Sequence, residues 1–170
     1  GTARRLPALP QAAWFFYASP PNHLALHDTH PAQGLLAATF ASRRLPALAL
    51  AAALPALPLL AWSPSARWLR RAMRRFVAED AARLDLDPTQ WHTYLLEWCA
   101  DAVTFFVDGE SCFATTVAPR GPLGLVLWID NQYAAFPSDG RLRFGTLPNE
   151  SAWLELTSVD LSPTYRETVS

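Results

Sequence analysis

The sequence predicts a mainly β chain: an antiparallel β-sandwich with a helical insertion around residues 46–83. Three observations predict it. After Pro88, short apolar runs recur with turn signals between them, at roughly the 8–12-residue spacing of a sandwich or barrel. Asp108-Gly109 stands between two such runs and is a strong hairpin signal. Residues 45–83 break the pattern with an uncharged apolar stretch followed by an Arg-rich helical period.

Taken in order, residues 1–13 carry Arg4, Arg5, Pro7 and Pro10 and read as an irregular, extended lead-in. Trp14-Phe15-Phe16-Tyr17-Ala18 has the β propensity and length of a strand buried on both faces. Ser19-Pro20-Pro21-Asn22 ends it, and residues 22–33 form a polar loop holding His23, His27 and His30. Gly34 to Ala41 reads as a second strand. Residues 45–62 carry no charge, but Pro55 and Pro58 break the run, so a short helix to about Leu54 gives way to an irregular apolar stretch. Ser63 suits an N-cap and Pro64 a first helical position. The helix that follows, 64–83, is expected to turn Trp68, Leu69, Met73 or Ala72, Phe76 and Val77 to one face. Arg67, Arg70, Arg71, Arg74 and Arg75 fill the rest. Asp85-Leu86-Asp87-Pro88 closes this region with turn and capping chemistry.

The period then changes. His92–Trp98, Val103–Val107, Ser111–Val117, Leu123–Asp130 and Trp153–Leu161 read as strands, and Arg141–Phe144 alternates. Turns fall at Asp101, Asp108-Gly109, Pro119–Pro122 and Phe136–Gly140. The sequence shows no internal repeat.

The 170 residues suit one domain, 1–170, with 45–87 as its insertion. Folding at this length buries roughly 70% of the unfolded surface, so no staple is required. Hydrophobic residues make up 51% and charged residues 17%, which excludes a disordered chain. A net charge of −1 supplies no global field for nucleic acid. All 14 basic residues are Arg, the usage expected of a GC-rich, bacterial-type genome. Cys99 and Cys112 read as two small thiols, although the facing strands of a hairpin would let them pair. Two cysteines leave the compartment open. No charged n-region or cleavage site follows Gly1, so no signal peptide is expected in these residues.

A family resemblance rests on Trp91-His92-Thr93-Tyr94-Leu95-Leu96-Glu97-Trp98 followed by Val103-Thr104-Phe105-Phe106-Val107-Asp108-Gly109. This H-T-Y-x-x-E-W and F-x-V-D-G pattern resembles family 16 glycoside hydrolases, laminarinase-like members of the concanavalin-like lectin and glucanase superfamily. The resemblance implies two successive strands of a β-jelly roll. Pro122 to Trp128 is similar to that fold's next strand, which lines its concave cleft, and Trp153 to Leu161 to its closing strand. The family's active site is a strand reading E-x-D-x-E or E-x-D-x-x-E, upstream of the H-T-Y motif. Its first Glu is a nucleophile and its last a general acid/base, an arrangement that places two carboxyls about 5–5.5 Å apart. This chain has no such run. Between Gly34 and Trp91 its acids are Glu79, Asp80, Asp85 and Asp87. Residues 45–83 stand where relatives run strands through the cleft, and the chain is short at its N-terminus for a jelly roll.

Four candidates carry chemistry. Along Leu125–Asp130, alternation puts Val126, Trp128 and Asp130 on one face and Leu125, Leu127 and Ile129 on a fully apolar one. Trp128 beside Asp130, Asn131 and Gln132 suits a sugar: the indole stacks on the apolar ring face while the polar groups meet hydroxyls. His92, Tyr94 and Trp98 would add to that surface. The competing reading packs Trp128 in the core and turns the chain at Asp130-Asn131. His23, His27, His30 and Asp28 have metal-ligand chemistry, but flanking prolines favour a solvated loop over a metal site. Residues 45–83, apolar and then Arg- and Trp-bearing, could lie on an anionic membrane, serve as an assembly surface, or pack over the sandwich with Arg outward. Glu97 alone cannot run a two-carboxylate mechanism and reads as structural.

The expectation is therefore a non-catalytic, concanavalin-like β-sandwich that binds a carbohydrate or other small polar-faced ligand. It calls for no catalytic residue, metal or cofactor, and an oligomer is compatible with it. The rival readings are a glycoside hydrolase-like enzyme with missing or non-standard catalytic residues, and a membrane-surface or assembly module using residues 45–83.

Overall fold

The structure, a computed structural model, describes residues 10–43, 63–139 and 141–162. These residues are mainly β, with antiparallel sheets and one short helix. The first sheet pairs β1 (Ala12–Ala18), β2 (Gly34–Ser42) and β3 (Val77–Leu84) in that order. Helix α1 (Ser63–Met73) precedes β3. The second sheet is β4 (Tyr94–Trp98), β5 (Val103–Val107) and β6 (Glu110–Thr115), and β7 (Gln132–Ala135) pairs with β8 (Arg143–Thr146) as a ribbon.

Strand β2 is central to the first sheet and buried along nearly its whole length, as its run of Leu, Ala and Phe requires. Its alternation feeds two cores. Leu35 and Ala37 join Leu84 of β3 and Val103, Phe105 and Val107 of β5, so one apolar cluster unites the two sheets. Phe105 is fully buried there, which stabilises the fold by about 1.5–3 kcal/mol. Phe15 of β1 packs edge-on against it at 5.1 Å between ring centroids. Ala38 and Phe40 face the other way and cluster with Val77 and Leu26, with Trp14, Met73 and Ala81 packed alongside. The first sheet therefore has the second sheet on one side and the loop 19–33 with α1 on the other. Thr115 of β6 adds a polar tie by donating to Asp80 Oδ2 of β3 at 2.6 Å.

The β5–β6 hairpin turns at Asp108 and Gly109, both left-handed at φ 53° and 85°, the geometry that an Asp-Gly pair accepts with least strain. The Asp108 carboxylate also accepts from Thr93 N at 2.8 Å and pairs with His92 Nδ1 at 2.7 Å, closing the neck of the hairpin onto β4.

Several expectations are corrected. The helix predicted over 64–83 stops at Met73, and Val77–Leu84 is a strand. Its Ala, Glu and Arg favour a helix, but eight registered pairs with the buried β2 override that preference. The helix is also rotated relative to expectation. Trp68 is 64% exposed, while Arg70 is only 2% exposed. Leu123–Asp130 and Trp153–Leu161 run without a ladder partner and are not strands, and both faces of Leu125–Ile129 are exposed. The β propensity of these runs does not make a strand without a partner to accept the backbone hydrogen bonds. Gln132–Ala135, for which the sequence predicts no element, is a strand because β8 pairs with it. Cys99 and Cys112 are free thiols, as the main reading has them; Cys112 lies on β6 and Cys99 just after the end of β4, so they are not paired across a hairpin. The expected helix to Leu54 lies outside the described residues.

Candidate ligand-binding site

Alternation along β1 sends Trp14 and Phe16 to the side of the sheet opposite Phe15. There they form the floor of a cavity of about 430 Å³. Asn22 and Leu24 of the loop, Trp128 and Asp130, Gln132 to Ala134 of β7 and Phe144 to Thr146 of β8 complete its lining. The Trp14 and Trp128 rings stand 5.9 Å apart, and Trp14 stacks on Phe16 at 5.5 Å. Phe144 is 74% exposed at the wall. Gly145 allows the Tyr133 ring to lie across β8, because a Cβ there would meet the ring at 3.0 Å. The lining thus combines aromatic rings with the polar residues Gln132, Asp130 and Thr146. This combination suits a ligand with apolar faces and hydroxyl edges.

The loop that bounds the cavity is held by its own Asn22 and by side chains from outside it. Asn22 is buried; its Oδ1 accepts from Ala134 N at 3.1 Å, and its Nδ2 donates to Ser19 O at 2.9 Å. His23 N donates to Ala134 O and its carbonyl accepts from Phe136 N, both at 2.9 Å, tying the loop to β7. The buried Arg70 guanidinium donates to Ala25 O at 2.8 Å, Phe136 O at 2.9 Å and Asp28 Oδ1 at 2.7 Å. Arg74 donates to Leu26 O at 2.7 Å and Asp28 Oδ2 at 2.8 Å. From β3, the buried Glu79 accepts from Leu26 N at 2.7 Å and His27 N at 3.2 Å.

Charge follows these contacts. Hydrogen bonding to Arg74, helped by Arg70, holds the Asp28 carboxyl below the usual carboxylate value. Burial, with Arg70 nearby, lowers the His23 pKa and favours the neutral ring. His30 lies 3.9 Å from both Glu79 Oε1 and Asp80 Oδ1. The buried His30 Nδ1 and His23 Nε2 have no hydrogen-bond partner. Asp28 is engaged by two arginines, and among the described residues no group of three His, Cys, Asp or Glu side chains is arranged to hold a metal ion.

Of the residues read from sequence, Trp128, Asp130 and Gln132 line the cavity. Asn131 stands beside them, but its Nδ2 donates to Leu147 O at 3.0 Å. His92, Tyr94 and Trp98 do not line it. His92 pairs with Asp108, and Tyr94 packs on Phe15 at 4.8 Å. Trp98 donates to Pro119 O at 2.9 Å. The aromatic run 14–18 held the missed signal: a strand with one aromatic face in the core has a second to offer. Tyr133 and Phe144 gave no comparable sign, because their placement depends on the β7–β8 pairing. No protein-family model, curated protein or solved structure matches the chain.

Proposed function

We propose that the chain is a non-catalytic, concanavalin-like β-sandwich that binds a carbohydrate, or another small ligand with an apolar face and hydroxyl edges, in the cavity between β1 and the β7–β8 ribbon. The observation that carries this reading is the pairing of Trp14 and Trp128 at 5.9 Å beside Asp130 and Gln132. Indole faces stack on the C–H face of a sugar ring, and the adjacent amide and carboxylate accept and donate to its hydroxyls. The core shared by the two sheets supports the sandwich, and the missing E-x-D-x-E run supports the absence of catalysis.

The rival reading is a glycoside hydrolase-like enzyme, and Glu79 is the observation in its favour. It stands on the cavity-side face of the strand upstream of the His92-Thr93-Tyr94 motif, beneath Trp14 and Phe16. Its Oε2, however, already accepts from two loop N–H groups, and the neighbouring Asp80 accepts from Thr115 of the second sheet.

A β-glucan panel separates the two, scored for retention in affinity gels and for release of reducing ends on the same samples. Binding predicts retention without release. Trp128 is 46% exposed, so Trp128→Ala removes a stacking face without opening the core and is expected to weaken retention about 10-fold or more. Release of reducing ends would overturn the non-catalytic reading, and absence of retention on every glycan would overturn the carbohydrate reading.

A further inference from the structure

Helix α1 departs from its sequence reading at two positions, with Arg70 turned inward and Trp68 outward. Ala66 and Arg70 are buried and Leu69 and Met73 half-buried, at the spacing of one helical stripe. The other side presents Arg67, Trp68 and Arg71, and the following turn adds Arg75, all exposed. Positions 67 and 71 are neighbours on one helical row and Arg75 follows just past its end, so like charges gather on this side of the molecule. None has an ion-pair partner among the described residues, because Asp28 is taken by Arg70 and Arg74. Exposed Arg43 extends the patch, with its N–H donating to Phe76 O at 2.8 Å. Trp68 and the partly exposed Phe76 stand among these charges.

We propose that this outer face of α1 docks on a bilayer surface containing anionic lipid. Uncompensated guanidinium groups match headgroup phosphates, and an exposed indole beside them matches the amphipathic layer just beneath, where Trp side chains settle. The chain as a whole carries −1, so the complementarity belongs to this patch and not to a general excess of positive charge. A duplex nucleic acid also offers phosphates but keeps its bases stacked, which leaves Trp68 nothing to enter. The contact is peripheral: no helix among the described residues is long and apolar enough to cross a membrane.

The test is sedimentation of the full chain with phosphatidylglycerol–phosphatidylcholine vesicles and with phosphatidylcholine vesicles alone. Binding is expected only to the anionic vesicles. Release is expected at about 1 M salt, where the screening length falls to roughly 3 Å. Each arginine contributes about a 5-fold factor, so the triple variant Arg67→Gln, Arg71→Gln, Arg75→Gln loses on the order of a hundredfold in partition coefficient. All three are exposed, so its thermal melt should match the parent's. Trp68→Ala, which leaves the charge untouched, should also weaken partitioning. No sedimentation at low salt, equal binding to neutral vesicles, indifference to the triple variant, or preference for duplex DNA over the vesicles would each overturn the proposal.

Discussion

Arg70→Met tests the buried clasp most directly. Methionine keeps the apolar stem and removes the guanidinium, so packing is largely retained and three hydrogen bonds are lost. Two of them ended on backbone carbonyls, Ala25 O and Phe136 O, which the variant leaves without their donor. An unsatisfied buried polar group costs about 1–3 kcal/mol. The third ended on Asp28, which is 52% exposed, hydrates readily and keeps Arg74. Together these give a loss of about 3 kcal/mol, at the lower end of the range for breaking a buried ion pair. Arg74→Met should cost about 1 kcal/mol, because its side chain is more exposed than that of Arg70 and it loses one backbone carbonyl partner rather than two. Urea denaturation followed by both tryptophan fluorescence and far-UV circular dichroism reads these values. A loss below about 1 kcal/mol for Arg70→Met, with an unchanged denaturant slope, would refute the claim that the guanidinium holds the loop.

Three further outcomes follow from contacts already described. Asp28 has a depressed folded pKa, so its contribution is fully present above the unfolded value near pH 4 and is lost as pH falls through the folded value; Asp28→Asn should flatten that part of an acid titration of stability. The two perturbed histidines act in opposite senses. His92, raised chiefly by its hydrogen bond to Asp108, stabilises below about pH 6.5 and loses that contribution as pH rises through its folded value. His23, lowered chiefly by burial, stabilises above about pH 6.5 and loses its contribution as pH falls through its folded value. Chemical-shift titration of the imidazole protons should therefore place the two midpoints on opposite sides of that value, and His92→Gln should remove only the alkaline-side loss. Gly121→Ala would bring a Cβ to 2.6 Å from the Trp98 ring, so the ring must move from its bond to Pro119 O; a loss of about 1–3 kcal/mol and an altered near-UV spectrum are expected.

What was legible in the sequence was what local chemistry decides. Val103–Val107 and the Asp108-Gly109 turn carry their own propensities, and the structure places both as read. Trp128, Asp130 and Gln132 line one cavity, but not through strand alternation, since residues 123–130 have no ladder partner. Val77–Leu84 was not legible, because its composition favours a helix and only its ladder with β2 makes it a strand. Arg70 was not legible either. A buried arginine is tolerable only when its donors are met, and its acceptors come from positions 25, 28 and 136, which no local window contains. Hydrophobicity alone points Trp68 inward, whereas the tertiary hydrogen bonds turn the stripe containing Arg70 to the interior.

The loop beside the cavity takes much of its form from others. Arg70 and Arg74 bind its carbonyls and Glu79 its N–H groups, and none of the three belongs to the loop. Its backbone is therefore moulded from beneath, much as a casting takes the shape of its die, and the Leu24 side chain, which lines the cavity, takes no part in these bonds. Sequence change at that position can alter what the cavity admits while leaving the path of the chain in place. Recognition and architecture are separable here, which makes this loop the natural place to graft a new preference onto an unchanged scaffold.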